Sequence, residues 1–337
     1  MDDTIPRSSK PTQQTIADAT GFAVTTVSRA LANDLKISQK TRNKVAAAAE
    51  DLGYVPDRAA QRLRTGRTNV ITLVLDPHSE VPGFTSSMIA GIADVVRSTK
   101  YHLTIMQYQL GEDPLEPIRF LVRNKQADGI IFTRTVQDDP RVAFLLEHEF
   151  PFVTHGRTKF GNHAWFDFDN RMFAKIAARR LVDRGCRTIG IIPPSQRFTY
   201  TKYMIEGFQE AISEFGVTGV VASGFDLNVG PDALYKHVGE WIKEADGIDG
   251  LICPGEVSAI TAYAAIVDAG LRPEVDIKLV AKQTSVVFDH LRPKIDTVKE
   301  DLEAAGRELM RLMLRHLSGE KPGKLQLLET PADNPPD

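Results

Sequence analysis

Thr12-Gln13-Gln14-Thr15-Ile16-Ala17-Asp18-Ala19-Thr20-Gly21-Phe22-Ala23-Val24-Thr25-Thr26-Val27-Ser28-Arg29-Ala30-Leu31-Ala32 is the stretch on which the reading of this 337-residue chain turns. Thr12 is placed to cap a helix over about 13–20, and Gly21 supplies the tight exit that a helical C-terminus prefers. After the turn Gly21-Phe22-Ala23, a second short helix runs from Val24 to Ala32 and is ended by Asn33 and Asp34. Ile16, Val27 and Leu31 are the inward-facing candidates that pin the two together, which is the helix-turn-helix layout. Val24, Thr25 and Arg29 are then left to solvent, where a recognition helix carries the side chains that reach base edges in the major groove.

Working outward, Ser38 caps a third helix over about 39–52, whose Val45, Ala49 and Leu52 keep the i, i+4, i+7 spacing until Gly53 stops it. Beyond it, Asp57 and Gly66 bound a helix of barely two turns, too short to be stable alone in water. Leu63 between Arg62 and Arg64 is what a minor-groove wedge requires: an apolar side chain to part a base step, with cations for the flanking phosphates. Charge follows the same division. Residues 1–69 hold 11 Lys and Arg against 7 Asp and Glu, while the remainder holds 30 against 37. A cationic head on an anionic body suits an arm that meets phosphates while the body stays off them.

These residues resemble the lactose-repressor (LacI) family of bacterial transcription regulators. The resemblance is carried by Ile16-Ala17, Gly21, Thr26-Val27-Ser28-Arg29-Ala30-Leu31, Ser38-Gln39-Lys40-Thr41-Arg42 with Val45, and Gly53-Tyr54-Val55-Pro56-Asp57 with Ala60 and Leu63. It implies that Val24, Thr25 and Arg29 read bases and that Leu63 is the intercalating hinge leucine of a homodimer on a near-palindromic double-stranded operator. With Thr12, Thr26, Ser28, Asn33, Ala60 and Arg64 they make up the expected DNA-contacting set. Ala23 departs from the family, which usually has a capping Ser there; its loss weakens the cap by about 1 kcal/mol and removes one backbone contact.

From about Thr68 the chain alternates apolar strands with helices. The first series has strands at Val70–Leu75, His102–Met106, Gly129–Phe132 and Phe150–Val153, with helices near 85–99 and 114–125. The second begins at Ala164–Asp167 and continues through helix 171–184, strand 188–192, helix 203–215, strand 219–222, helix 231–244, strand 250–253 and helix 257–269. Such alternation implies parallel sheets covered by helices on both faces, and this many strands implies two lobes. The expected fold class is therefore an all-α helix-turn-helix DNA-binding head with a hinge helix, followed by a bilobed α/β ligand domain. The resemblance makes that domain periplasmic-binding-protein-like. The expected domains are a head at 1–56, a hinge at 57–66, an effector-binding and dimerisation domain at 67–331 and a disordered, Pro-rich tail at 332–337. Lobe one is expected at about 67–161 and 294–319, and lobe two at about 162–293 and 320–331.

Ligands of open parallel sheets sit beyond the carboxyl ends of strands, in the crevice between lobes. That rule selects Phe84, His155, Arg157, Tyr200, Met204, Glu256, Lys282 and Gln283 as effector contacts. Aromatic rings stack on a sugar's apolar face, and the polar side chains bond its hydroxyls. The resemblance places ligand contacts at Phe84, His155 and Tyr200 but also shows two exchanges. Met204 stands where the family has Arg, and Gln283, preceded by Lys282, stands where it has Asp. A small sugar or glycoside is the expected effector, with an anionic molecule left open by Lys282 and Arg157.

Composition and missing motifs exclude much else. With 42% hydrophobic and 25% charged residues the chain is an ordinary globular protein, and Cys186 and Cys253 are too few for a disulfide scaffold or a four-thiolate zinc site. There is no Gly-rich phosphate loop, no Gly-x-Ser-x-Gly elbow and no His-Glu-x-x-His, so no enzyme activity, cofactor or metal is expected. His155 and His163 beside Asp167 and Asp169 read as polar residues of a lobe crossover rather than as a metal site. Neither a membrane span nor a signal segment is visible, and a cytoplasmic location is expected. A cytoplasmic sugar-binding protein without DNA function is the alternative, which the basic head argues against.

Overall fold

The computed structural model describes residues 11–55, 66–76, 83–109, 111–244 and 247–333. The chain divides into two compact units, Met1–Thr68 and Asn69–Asp337. The hinge residues Ala60, Leu63 and Arg64 lie outside the described residues.

The first unit carries α1 (Gln13–Thr20), α2 (Val24–Leu31) and α3 (Gln39–Asp51). Local chemistry sets each boundary. The Thr12 hydroxyl accepts the Thr15 N–H at 3.3 Å, while Thr15 returns the bond to the Thr12 N–H at 3.1 Å. Gly21 closes α1 at φ 74°, a left-handed conformation costly for any residue with a Cβ. Ser38 caps α3 by accepting the Thr41 N–H. Ala23 opens α2 with no side-chain cap. Ile16, Val27, Val45 and Ala49 form the centre of a small core, and Leu31, Leu52 and Val24 pack around it.

The second unit holds two parallel sheets. The first contains β1 (Val70–Leu75), β2 (His102–Gln107), β3 (Gly129–Phe132), β4 (Phe152–His155), β5 (Ala164–Phe168) and β11 (Gln326–Glu329), in the order β11-β5-β4-β3-β1-β2. The second contains β6 (Thr188–Ile191), β7 (Thr218–Val221), β8 (Gly250–Cys253), β9 (Lys278–Gln283) and β10 (Asp296–Lys299), in the order β10-β9-β8-β6-β7. Around the first sheet lie α4 (Phe84–Val96), α5 (Leu115–Arg123), α6 (Pro140–Glu147) and α11 (Leu302–Leu317); around the second lie α7 (Asn170–Asp183), α8 (Thr199–Phe215), α9 (Pro231–Glu244) and α10 (Glu256–Asp268).

In each lobe one helix pair meets backbone to backbone at glycine. A Cβ on Gly91 of α4 would lie 2.0 Å from the Glu303 carbonyl oxygen of α11, and one on Gly207 of α8 would lie 2.2 Å from that of Arg171 in α7. The close approach brings the flanking apolar residues, such as Met88 and Ile92 with Leu309 and Met313, into one core.

Strand pairing corrects the lobe boundaries. β5, expected to open lobe two, pairs with β4 and belongs to the first sheet. β10, expected in lobe one, pairs with β9 in the second, and β11, expected in lobe two, pairs with β5 in the first. The chain therefore crosses between lobes at 168–170 and at 299–302. The reason is physical: an apolar strand core carries no label for its neighbour, which long-range packing chooses. The sequence reading also passes over α6, although Asp139 caps it and Pro140 occupies its first turn. The expected disordered tail is corrected at its start. Ala332 is buried, and Asp333 pairs with Arg179 and with Arg180, the latter at 3.1 Å. Residues 334–337 lie outside the described residues.

Candidate nucleic-acid interface and ligand crevice

On α2, Thr25 and Arg29 face solvent, and Thr26 and Ser28 are half-buried. Val24, expected to be offered to solvent, is instead half-buried and packs against the head's core. Thr12 stays exposed while capping α1, and Asn33 is exposed at φ 55° in the turn that follows α2. Arg29 donates its Nε–H to Asp34 Oδ2 at 2.8 Å. The face thus offers hydroxyls and one guanidinium, groups that bond base edges and phosphates.

In the second unit, a crevice with about 720 Å³ of empty space opens at the carboxyl ends of both sheets. Of the residues selected from sequence, Phe84, His155, Tyr200, Met204 and Lys282 line it. Phe84 is the first residue of α4, its ring 5.9 Å from that of His155, which ends β4 and stacks on Phe166. α8 begins at Thr199, four residues earlier than expected, so Tyr200 and Met204 sit one turn apart on its cavity face.

Arg157, Glu256 and Gln283 stand behind the wall. The Arg157 guanidinium bonds Asp167 at 2.6 Å and lies 3.9 Å over the Tyr203 ring. Glu256 is buried, and its Oε1 accepts the N–H groups of Thr284 and Ser285 at 3.0 and 2.7 Å, pinning the loop after β9. The Gln283 amide donates to the Ser285 carbonyl and to Asp289, and accepts the Thr297 hydroxyl. These three shape the crevice without facing it.

Several lining residues escaped the sequence reading: Thr133, Arg134, Asp167, Asn170, Thr284 and Glu300. Asp167-Phe168-Asp169-Asn170, which the sequence presents as the polar residues of a lobe crossover, supplies Asp167, Phe168 and Asn170 to the lining, and its cluster of polar side chains directly after an apolar strand is the available signal. Asp167 and Asn170 face the crevice, while Asp169 caps α7 by accepting the Met172 N–H. Burial pushes the Asp167 carboxyl up to about 6, against the pull of Arg157. Arg134 follows β3 at φ 55° and reaches across the lobes. Its guanidinium pairs with Asp76 at 3.2 Å, bonds Asn228 of the second lobe at 2.8 Å and lies 4.3 Å over Phe198. Lys282 pairs with Glu300 at 3.0 Å, bonds Asn170 and lies 4.7 Å over Phe168. Among the described residues, Arg134, Asp167, Lys282 and Glu300 on this wall each thus have a protein counter-charge.

His163 is buried and shares a 2.8 Å hydrogen bond with the Thr158 hydroxyl; desolvation pushes it down to about 4. Among the described residues no helix is long and apolar enough to cross a membrane.

Residues 12–57 match the model of the bacterial regulatory proteins of the lacI family, and residues 178–332 match the periplasmic binding protein-like domain. The chain belongs to the lacI family. Family members are transcription regulators, not enzymes, and this chain is a helix-turn-helix regulator with an effector-binding domain. It is 26% identical to the transcriptional regulator CelR of Thermobifida fusca over 96% of this chain and 97% of that one. To RafR of Escherichia coli it is 29% identical over 94% and 95%. In architecture it is similar to a CelR–cellobiose complex (TM-score 0.70, 23% identity, covering 96% and 98%). It is also similar to the Lac repressor dimer bound to operator and an anti-inducer (TM-score 0.80, 18% identity, covering 96% and 97%).

Proposed function

We propose that this regulator is a repressor that binds a near-palindromic operator as a homodimer and is controlled by an uncharged sugar or glycoside held between its lobes. One observation carries the choice of effector: among the described residues, the Arg, Asp, Lys and Glu side chains lining the crevice are already neutralised in pairs, Arg134 with Asp76, Asp167 with Arg157 and Lys282 with Glu300. An anionic ligand would have to break a buried pair to gain a counter-ion, at a cost of several kcal/mol. The rest of the lining is apolar surface from Phe84, Tyr200, Met204 and Leu227, with the neutral side chains of Thr133, Asn170 and Thr284. The Thr284 hydroxyl has no hydrogen-bond partner among the described residues. Flat apolar faces with scattered neutral hydrogen-bonding groups match a pyranose ring and its hydroxyls. A similar structure that holds cellobiose supports the same class.

Effector control follows from closure of the lobes. A ligand that prefers one closure state shifts DNA affinity by its differential affinity for the two states, without contact between the sites. The test is a thermal-shift screen of the full-length protein against neutral sugars and glycosides beside sugar phosphates and uronic acids. A neutral ligand at a hundred times its Kd should stabilise the fold by about 2.7 kcal/mol. Shifts from anionic sugars alone would overturn the reading.

A further inference from the structure

We propose that Asp34 is a positioning residue for DNA reading: it holds the Arg29 guanidinium so that its two outer nitrogens present a fork to a guanine. The inference rests on the proposed role of α2 as the base-reading helix. Arg29 is the sixth residue of α2, and its side chain is 49% exposed. Its Nε donates to Asp34 Oδ2, and neither Nη makes a further hydrogen bond among the described residues. A guanidinium tied through Nε keeps its Nη1–Nη2 edge free, and that edge matches the O6 and N7 acceptors that guanine shows in the major groove.

Asp34 is itself held from several directions. Its N–H donates to the Arg29 carbonyl at 3.0 Å, its Oδ1 accepts the Lys36 N–H at 2.9 Å, and its carbonyl accepts Arg42 Nη1 at 3.2 Å. Arg42 is fixed in turn on the Ile37 carbonyl at 2.5 Å. The carboxylate therefore belongs to a rigid turn rather than to a mobile surface chain. A long, rotamer-rich side chain is ordered before DNA arrives, so less ordering entropy is charged to the complex. The arrangement also carries a cost, since a carboxylate near phosphates repels them. A residue that only served general affinity would not be acidic here.

Two roles for the same contact make opposite predictions. If Asp34 positions Arg29, its loss removes base discrimination. If it sequesters Arg29 from DNA, its loss raises affinity. Asp34→Asn separates them, because Asn keeps the Oδ1 acceptor used by Lys36 and replaces the charged Oδ2 that accepts from Arg29 with an amide nitrogen that can only donate.

The probe is a randomised duplex library selected on the full-length wild-type protein, followed by titration of the selected duplex and of its single-base variants. Arg29→Ala identifies the position that Arg29 reads, as the one where preference for guanine collapses. There the wild type should prefer guanine by about tenfold or more, the scale of a bidentate contact. Asp34→Asn should cut that preference at least threefold, leave other positions unchanged and bind random-sequence duplex no more weakly, with an unaltered melting temperature. An unchanged guanine preference in Asp34→Asn overturns the positioning role while leaving Arg29 as a base reader. Tighter binding of the selected duplex overturns it in favour of sequestration. If Arg29→Ala flattens no position, the reading of α2 fails, and the inference fails with it.

Discussion

Replacing Lys282 by Met tests whether the crevice wall is an ion-paired surface. The substitution leaves the Glu300 carboxylate, on a residue only 8% exposed, without its partner 3.0 Å away and close to Asp167. Removing one member of a buried pair costs about 3–5 kcal/mol, mostly the desolvation of the stranded charge. Met restores packing against Phe168 and Phe173, which the Lys282 ammonium now overlies at 4.7 and 5.1 Å, so the lower end applies. A loss of about 3 kcal/mol corresponds to roughly 6–12 °C in Tm for a body of this size. Removing both charges, in Lys282→Met with Glu300→Gln, should return stability to within about 1 kcal/mol of wild type, because neither charge is then stranded. Glu300→Gln alone leaves a cation facing the crevice and should raise affinity for a sugar phosphate about tenfold. Denaturant unfolding measures the first two effects and calorimetric titration the third. Costs that simply add in the double variant, or a single-variant cost below about 1 kcal/mol, would refute the paired wall.

Five further variants have expected outcomes. Gly91→Ala should destabilise the body by about 3 kcal/mol, because its Cβ would lie 2.0 Å from the Glu303 carbonyl oxygen, whereas Gly239→Ala, whose Cβ meets nothing nearer than 3.9 Å, should stabilise α9 by up to about 1 kcal/mol in the same unfolding assay. Asp167 titrates near 6 when folded and 3.8 when unfolded, so between those values the folded state holds the extra proton and stability falls as pH rises; Asp167→Asn should remove this slope from a plot of Tm against pH. His163 runs oppositely: pushed down to about 4 from 6.5, it makes stability fall as pH drops through that window, and His163→Gln should remove that slope. Leu63→Ala should abolish specific operator binding in a gel shift while ligand binding persists, because only an inserted wedge offsets the unstacking of a base step.

The head was legible from residues 12–53 alone because everything that shapes it is local. Caps at Thr12 and Ser38, the left-handed Gly21 and the spacing of Ile16, Val27 and Val45 act within a few turns of chain, and they land where the sequence places them. The alternation of strands and helices in the body was legible for the same reason, since runs such as Val70–Leu75 carry their own burial. Membership of a sheet was not. β5 and β11, 162 residues apart at their first positions, pair only because two lobes compete for every apolar strand and packing decides between them. The crevice followed the same division. Its location at the carboxyl ends of strands could be inferred, and Phe84, His155, Tyr200, Met204 and Lys282 lie on it. Which charges remain for a ligand could not, because Arg134 finds Asp76 and Lys282 finds Glu300 across distant stretches of chain. Sequence supplies each side chain's charge and reach; only the tertiary structure brings the partners within 3–4 Å, where desolvation and Coulomb attraction decide whether that charge is spent inside the protein or offered to a ligand.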